Sequence, residues 1–121
     1  MLPEINGYWY LGTVFTQHPD GYEAAYRDAC VALARLLKRG VPVFCPVAHT
    51  YGAQQQGSIP NDHEFWMKVD RPLMEAAAGM IVLKMPGWKA SEGLKYEVKV
   101  FDAAKKPVIF LTWDQLSGPP V

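Results

Sequence analysis

The chain has 121 residues, 50% of them apolar, and its 12 basic and 12 acidic side chains cancel to a formal net charge of zero. A chain of this length can bury a substantial core, so we expect a single domain over residues 1–121. The neutral charge balance provides no overall field to attract a nucleic acid or an anionic membrane, and we expect neither as a partner. A site for a small molecule or an interface with another protein is favoured instead.

The N-terminus and the cysteines both indicate a cytoplasmic protein. The segment Met1–Asn6 has neither a basic region nor a long apolar run, and no segment approaches membrane-spanning length. Cys30 falls in a predicted helix and Cys45 in a predicted strand, which is typical of reduced, buried thiols. We therefore expect a cytoplasmic protein without disulfides.

The first half of the chain predicts two strands separated by a helix. An aromatic-rich strand over Gly7–Gly12 precedes a polar loop. Apolar residues then recur at helical spacing over Tyr22–Lys38, and Arg39-Gly40 ends the run. Val41–Cys45 is apolar throughout, as expected for a strand covered on both faces. The segment Pro46–Pro60 is predicted to be a long loop, whose length indicates function or mobility.

The second half continues the alternation of helices and strands. Asn61 or Asp62 can cap a helix that runs to about Ala78, because short polar side chains accept hydrogen bonds from free backbone donors there. A further predicted helix contains Glu97. The tail after Trp113 is rich in Gly and Pro and is predicted to be loose. The remaining elements are a third strand, a turn and a fourth strand, at Gly79–Lys84, Pro86–Trp88 and Pro107–Thr112.

The alternating order predicts an α/β fold of the three-layer flavodoxin or Rossmann-like type. We expect a parallel sheet of about four or five strands in the order 2-1-3-4, with helices on both faces. In such open sheets ligands bind outside the carboxyl ends of the strands, where the strand order reverses. That point lies between the first and third strands, so Tyr10–Phe15 should lie beside Met85–Gly93.

Two acidic residues fall on apolar stripes of predicted helices. Glu97 is in helical register with Leu94 and Phe101, and Asp70 is in register with Trp66. Buried carboxylates are costly, so they are usually neutralised, paired or kept for chemistry. Each acid alone also fits an ordinary surface or capping role. Together they favour retaining glycosyl chemistry, which needs an ionised nucleophile and a neighbouring acid.

Other residues near the predicted crevice can bind a ligand. Ser91 and Gly93 can present a hydroxyl and backbone donors to a phosphate or a sugar hydroxyl, although both are also ordinary capping residues. Phe15 and Trp88 can stack on a planar base or fold over the core. The three histidines and Cys45 match no compact zinc spacing, and neither a phosphate-binding loop nor a dinucleotide fingerprint is present. We expect no metal and no cofactor.

Three motifs resemble those of the nucleoside 2-deoxyribosyltransferase superfamily, which includes the 2'-deoxynucleoside 5'-monophosphate N-glycosidases. They are Tyr10-Leu11-Gly12, the mid-helix Asp70 and the Ser91–Glu97 signature. The resemblance extends from Tyr10 to about Phe110 and is strongest to a small bacterial and phage branch known only as a domain of unknown function. The motifs shared with this branch are Pro86-Gly87-Trp88 and Pro46-Val47-Ala48-His49-Thr50.

The resemblance implies a covalent mechanism. In characterised members a glutamate attacks C1' of a 2-deoxyribose and displaces the base, and a new base or water resolves the glycosyl enzyme. Carried over, Glu97 would be the nucleophile, Tyr10 the hydroxyl that orients it, and Asp70 the group that protonates or holds the departing base. Ser91 and Gly93 would lie near the sugar 5' position. The full predicted substrate-binding set is Gly12, Thr13, Phe15, His49, Trp66, Trp88, Ser91 and Gly93.

Two departures from the family pattern leave the substrate open. Transferases often carry an aspartate six residues before the nucleophile, whereas this chain has Ser91 at that position, as in the monophosphate hydrolases. The loop Thr13–Asp20 lacks the arginine and glycine set of those hydrolases, so Lys84 or Lys89 would have to bind a phosphate. We expect cleavage or transfer of the N-glycosidic bond of a nucleoside or nucleotide, in a homodimer or larger homo-oligomer. The alternatives are a nucleotide-binding or regulatory module without turnover, and a structural subunit that assembles through Tyr8–Tyr10.

Overall fold

The computed structural model describes residues 2–60 and 62–120, so Asn61, one of the two predicted caps, lies outside the described residues. The strands are β1 (Trp9–Gly12), β2 (Val43–Phe44), β3 (Gly79–Lys84) and β4 (Val108–Thr112). The helices are α1 (Tyr22–Lys38), α2 (Pro46–Gln54), α3 (His63–Ala76) and α4 (Glu92–Ala103), with short 3-10 helices at Trp88–Ala90 and Asp114–Leu116. Asp62 caps α3, where its carboxylate accepts a hydrogen bond from the Phe65 backbone N–H at 2.8 Å.

The sheet has four parallel strands in the order β2-β1-β3-β4, which confirms the predicted α/β topology. The two central strands are the most buried, and their register places Tyr10 opposite Met80 and Gly12 opposite Val82. The second strand is shorter than the predicted Val41–Cys45, and its two residues are only half-buried. It pairs with β1 alone, because it lies at the edge of the sheet.

The helices cover both faces of the sheet. Right-handed crossovers place α1 on one face and α3 and α4 on the other, because the chain reverses its direction across the sheet after β2. The packing contacts agree with this placement of the helices. Helix α1 packs on β2 and on the C-terminal 3-10 helix. On the other face, α3 packs on α4, and α4 contacts β3 and β4. Within the described part of the chain, no helix has the length and apolar character needed to cross a membrane.

The prediction that Pro46–Pro60 is entirely a loop is wrong, because its first part forms α2. Pro46 occupies the start of this helix, where its fixed φ is favourable and its missing N–H costs nothing. The Thr50 hydroxyl donates to the Pro46 carbonyl at 2.9 Å. Tyr51 stacks on Tyr26 of α1 with ring centroids 4.8 Å apart. The helix therefore depends on a tertiary contact that local sequence periodicity does not reveal.

The prediction of a loose C-terminal tail is also wrong. Leu116 is fully buried. The Arg35 guanidinium donates to the Leu116 carbonyl at 2.9 Å and also to the Gly118 carbonyl. The same guanidinium lies 5.7 Å from the centroid of the Trp113 ring. These contacts hold the tail against α1 despite its Gly and Pro content.

Candidate active site

A cavity of about 310 Å³ lies at the carboxyl end of β1, between the segments that follow β2 and β3. Its wall is formed by residues 13–16 after β1, by α2, by one face of α3 and by the first turns of α4. This is the edge of the sheet at which parallel strands of an open α/β fold present their ligand sites. The position of the cavity agrees with the reversal of strand order between β1 and β3.

Glu97 lies at the buried side of this cavity, with 8% of its surface exposed. The Tyr10 hydroxyl donates a hydrogen bond to Glu97 Oε2. Burial raises the pKa of Glu97 to about 7; the Tyr10 hydrogen bond opposes this shift, and the charge of Asp70 adds to it. The carboxyl can therefore exchange its proton near neutral pH.

Asp70 reaches the same cavity from α3 and is 7% exposed. Its Oδ1 has no hydrogen-bond partner among the described residues. Burial raises the pKa of Asp70 to about 6, an effect that the nearby His49 partly offsets. The charge of Asp70 also raises the pKa of Glu97, so Glu97 holds its proton to a higher pH than Asp70 does.

Tyr10 lies behind Glu97 on β1 and is fully buried. Its ring packs against Phe101 of α4 at 5.6 Å and against Phe44 of β2 at 6.3 Å between centroids. Burial raises the pKa of the Tyr10 hydroxyl far above its ordinary value, and the charges of Glu97 and Asp70 raise it further. Tyr10 is therefore a fixed neutral donor at any physiological pH.

The start of α4 forms another side of the cavity. Ser91 is buried and caps the helix, its hydroxyl oxygen accepting a hydrogen bond from the Leu94 N–H at 3.2 Å. Gly93 lies in the first turn and borders the cavity, and a Cβ there would meet only the Ser91 hydroxyl, at 3.9 Å. Space for a ligand group is therefore available beside this turn.

Thr13 directly follows β1, and its side chain is buried. Its hydroxyl is 4.0 Å from the Cys45 sulfur. Burial raises the pKa of Cys45 to about 11, so this thiol is neutral and does not serve as a nucleophile at neutral pH. Both cysteines of the chain are free thiols.

Most of the predicted site residues meet in the cavity. Its lining includes Glu97, Asp70, Thr13, Phe15, Trp66, Ser91 and Gly93. Gly12 is not part of the lining. A Cβ at Gly12 would lie 2.6 Å from Met80 Cε and 2.7 Å from Leu94 Cδ2, so this glycine allows α4 to pack closely on β1.

Trp88 and His49 do not line the cavity. Gly87 has φ of 90° and turns the chain into a short 3-10 helix, which carries Trp88 to Phe110 on β4 with ring centroids 5.8 Å apart. Trp88 therefore borders a separate apolar groove. His49 is exposed on α2, packs 5.2 Å from the Phe44 ring, and acts on Asp70 only through its charge.

Several lining residues were not predicted. Asp62, His63 and Glu92 are exposed residues at the mouth of the cavity, and Met67 lies deeper. Sequence spacing could have found two of them, because His63 and Met67 are in helical register with Asp70. The α2 residues could not be found in this way, since that helix was itself missed. They are Pro46, Val47, Thr50 and Gln54.

His18 has a structural role outside the cavity. It is buried, its Nδ1 accepts from the Asp20 backbone N–H at 3.0 Å, and its Nε2 lies 2.8 Å from an Asp28 carboxylate oxygen. These partners fix the ring with the proton on Nε2. Across residues 2–60 and 62–120, no cluster of three or more His, Cys, Asp or Glu side chains is arranged to hold a metal ion.

The chain matches the model of a known protein family. The model of the family described as a domain of unknown function (DUF1937) matches residues 8–113. No curated protein matches the sequence. The matched range runs from just before β1 to just after β4, so it includes Tyr10, Asp70 and Glu97.

Proposed function

The chain belongs to the DUF1937 family, a domain of unknown function, and from its site we propose that it cleaves or transfers the N-glycosidic bond of a nucleoside or nucleotide. The main observation is that Glu97 and Asp70, two buried carboxyls from different helices, line one cavity at the strand ends. The hydrogen bond from Tyr10 to Glu97 supports the proposal. So does the resemblance of the Ser91–Glu97 signature to the nucleoside 2-deoxyribosyltransferase superfamily.

In the first step, a carboxylate oxygen of Glu97 attacks C1' of the sugar. The C1'–N bond breaks, its electron pair passes to the base, and Asp70 gives its proton to the base nitrogen. The products are a free base and a sugar esterified to Glu97. Tyr10 holds Oε2, which leaves the other oxygen of the carboxylate for the attack.

In the second step, a water molecule attacks C1' and breaks the ester bond. Its proton passes to the Asp70 carboxylate, and Glu97 is released as a carboxylate. The net reaction adds water across the N-glycosidic bond and restores both acids to their starting states. A second base that donates its own N–H proton in place of water gives transfer instead of hydrolysis.

Base release is the direct test of this proposal. The full-length protein is incubated with deoxynucleosides and their 5'-monophosphates, and free base is measured by liquid chromatography. We expect Glu97→Gln, which keeps an acceptor for Tyr10, to lower kcat at least about 1,000-fold. The matched control is Glu23→Gln, an exposed glutamate in the first turn of α1, which should retain full activity. Full activity of Glu97→Gln would refute the assignment.

The alternative of a binding or regulatory module predicts a different result. Nucleosides or nucleotides would raise the thermal stability of the protein, and no base would be released even on long incubation. The homodimer or larger homo-oligomer stays a prediction. Light scattering during size-exclusion chromatography measures the assembly directly.

A further inference from the structure

We propose that the cavity selects an unphosphorylated nucleoside and rejects nucleoside 5'-phosphates, an inference that rests on the proposed function of the same site. Among the described residues that line the cavity there is no lysine or arginine. The lining contains four acidic residues, Asp62, Asp70, Glu92 and Glu97. A phosphate group would therefore enter a space with carboxylates on several sides and no fixed cation to neutralise it.

The cations that could reach a phosphate lie elsewhere. The ammonium groups of Lys84 and Lys89 are each 5.7 Å from the Trp88 ring centroid, beside the separate groove. Lys95 borders that groove too, and its Nζ is 3.3 Å from Glu92 Oε1. The structure thus places both lysines suggested by the sequence away from the cavity.

Arg71 follows Asp70 in sequence, but its guanidinium group binds two other residues. Its Nη1 donates to the Tyr96 hydroxyl at 3.0 Å, and its Nε is 3.4 Å from a Glu75 carboxylate oxygen. Arg71 does not line the cavity. Apart from the four acids, the titratable residue among the described lining residues is His63, which packs edge-on against Tyr96 at 5.2 Å. The Arg71 guanidinium is held by Tyr96 and Glu75, and His63 has no guanidinium, so neither residue offers a phosphate a free pair of N–H donors.

The N-terminus of α4 is a feature that favours an anion, and the protein supplies one itself. Glu92 stands in the first turn, where a carboxylate is stabilised by the helix dipole. The Ser91 hydroxyl satisfies the Leu94 N–H. Glu92 and Lys95 form an ion pair there at 3.3 Å, so an incoming phosphate would have to compete with Glu92 for this lysine. An uncharged 5'-hydroxyl has no such conflict.

The unpaired oxygen of Asp70 indicates where the ligand presents a hydrogen-bond donor. Asp70 is more than nine-tenths buried and borders the cavity, and its Oδ1 has no partner among the described residues. Such an acceptor requires a donor from the ligand. A nucleoside provides such donors through its base N–H groups and its sugar hydroxyls.

The test compares each deoxynucleoside with its own 5'-monophosphate as a substrate of the full-length protein. We expect kcat/KM for base release to favour the nucleoside by at least about 100-fold. The variant Glu92→Lys should narrow this ratio by about 10-fold or more. Glu23→Lys, the corresponding charge reversal in the first turn of α1, is the control and should leave the ratio unchanged. Equal or faster cleavage of monophosphates, or an unchanged ratio in Glu92→Lys, would overturn the inference.

Binding to Glu97→Gln distinguishes failure of this inference from failure of the proposed function. If no substrate releases base, the proposed function is refuted, and calorimetric titration with nucleoside and monophosphate decides the preference. Tighter binding of the nucleoside supports the inference. Equal or tighter binding of the monophosphate overturns it, and absence of binding by either ligand overturns both proposals.

Discussion

The Tyr10 hydroxyl donates a hydrogen bond to Glu97 Oε2 across 87 positions of sequence. It joins β1, at the centre of the sheet, to α4, which packs on the sheet from one side. Burial of both partners excludes water from competing for this bond. A neutral donor favours the ionised form of the carboxylate that it contacts. The fold therefore partly counteracts the cost of ionising the buried Glu97.

Removing this donor should impair the nucleophile. We expect Tyr10→Phe to lower kcat by about 10- to 100-fold, as for loss of a hydrogen bond to a charged group. The alkaline limb of the pH–rate profile, which follows the higher pKa of the pair, should move to higher pH, because the bond no longer lowers the pKa of Glu97. Tyr8→Phe is the matched control, since the Tyr8 hydroxyl donates to the Leu73 carbonyl and not to the site. An unmoved alkaline limb in Tyr10→Phe would contradict the role of this bond.

The pair of carboxyls predicts a bell-shaped dependence of kcat/KM on pH. The pKa of Asp70 is raised to about 6 and that of Glu97 to about 7. Below this range both groups are protonated and Glu97 cannot attack; above it both are ionised and Asp70 has no proton for the base. The maximum should therefore fall between pH 6 and 7. Asp70→Asn should remove the alkaline limb, and persistence of that limb would show that another group supplies the proton.

The elements predicted best from the sequence are those whose periodicity is strong. The bounds of α1 and β3 were predicted as Tyr22–Lys38 and Gly79–Lys84, and the structure has the same bounds. In contrast, α2 has no clear apolar stripe, and its position depends on Tyr51 packing against Phe15 and Tyr26. Local patterns identify an element that buries one continuous face, but they miss a helix held by a few aromatic contacts from elsewhere.

The site could be predicted in part for a similar reason. Glu97 and Asp70 could be identified because an acidic residue on the apolar face of a helix departs from the pattern of that face. The structure brings both residues into one cavity. Trp88 could not be placed, because the turn before it depends on the left-handed conformation of Gly87. That glycine packs against the Gln17 carbonyl, where a Cβ would come within 2.4 Å. The direction of a side chain after such a turn is a tertiary property.

The buried acid should make the protein less stable as the pH rises. The pKa of Glu97 is raised from its ordinary 4.5 to about 7, so the folded state holds this proton more tightly than the unfolded state. The contribution to stability is fully present below pH 4.5 and is lost as the pH rises to about 7. At pH 8, Glu97→Gln should therefore unfold with a free energy about 2 to 3 kcal/mol higher than that of the wild type.

This difference is measured by urea unfolding at a series of pH values. At pH 4 it should disappear, because the wild-type carboxyl is then protonated in both states. The control Glu23→Gln, at an exposed position in α1, should show no comparable dependence on pH. A Glu97→Gln variant that is less stable than the wild type at pH 8 would show that the ionised carboxylate is stabilised in the fold.

Substitution of Trp66 should affect substrate binding, whereas substitution of Trp88 should affect thermal stability. Trp66 lines the cavity, whereas Trp88 lies beside Phe110 in the separate groove. Stacking of a base on an aromatic ring is worth about 1 to 3 kcal/mol, so Trp66→Leu should raise KM by about 5- to 100-fold. Trp88→Leu should leave KM unchanged and lower the thermal midpoint, because it removes packing against β4. Steady-state kinetics and thermal unfolding of both variants measure these effects. If Trp88→Leu raises KM and Trp66→Leu does not, the base binds in the groove and not in the cavity.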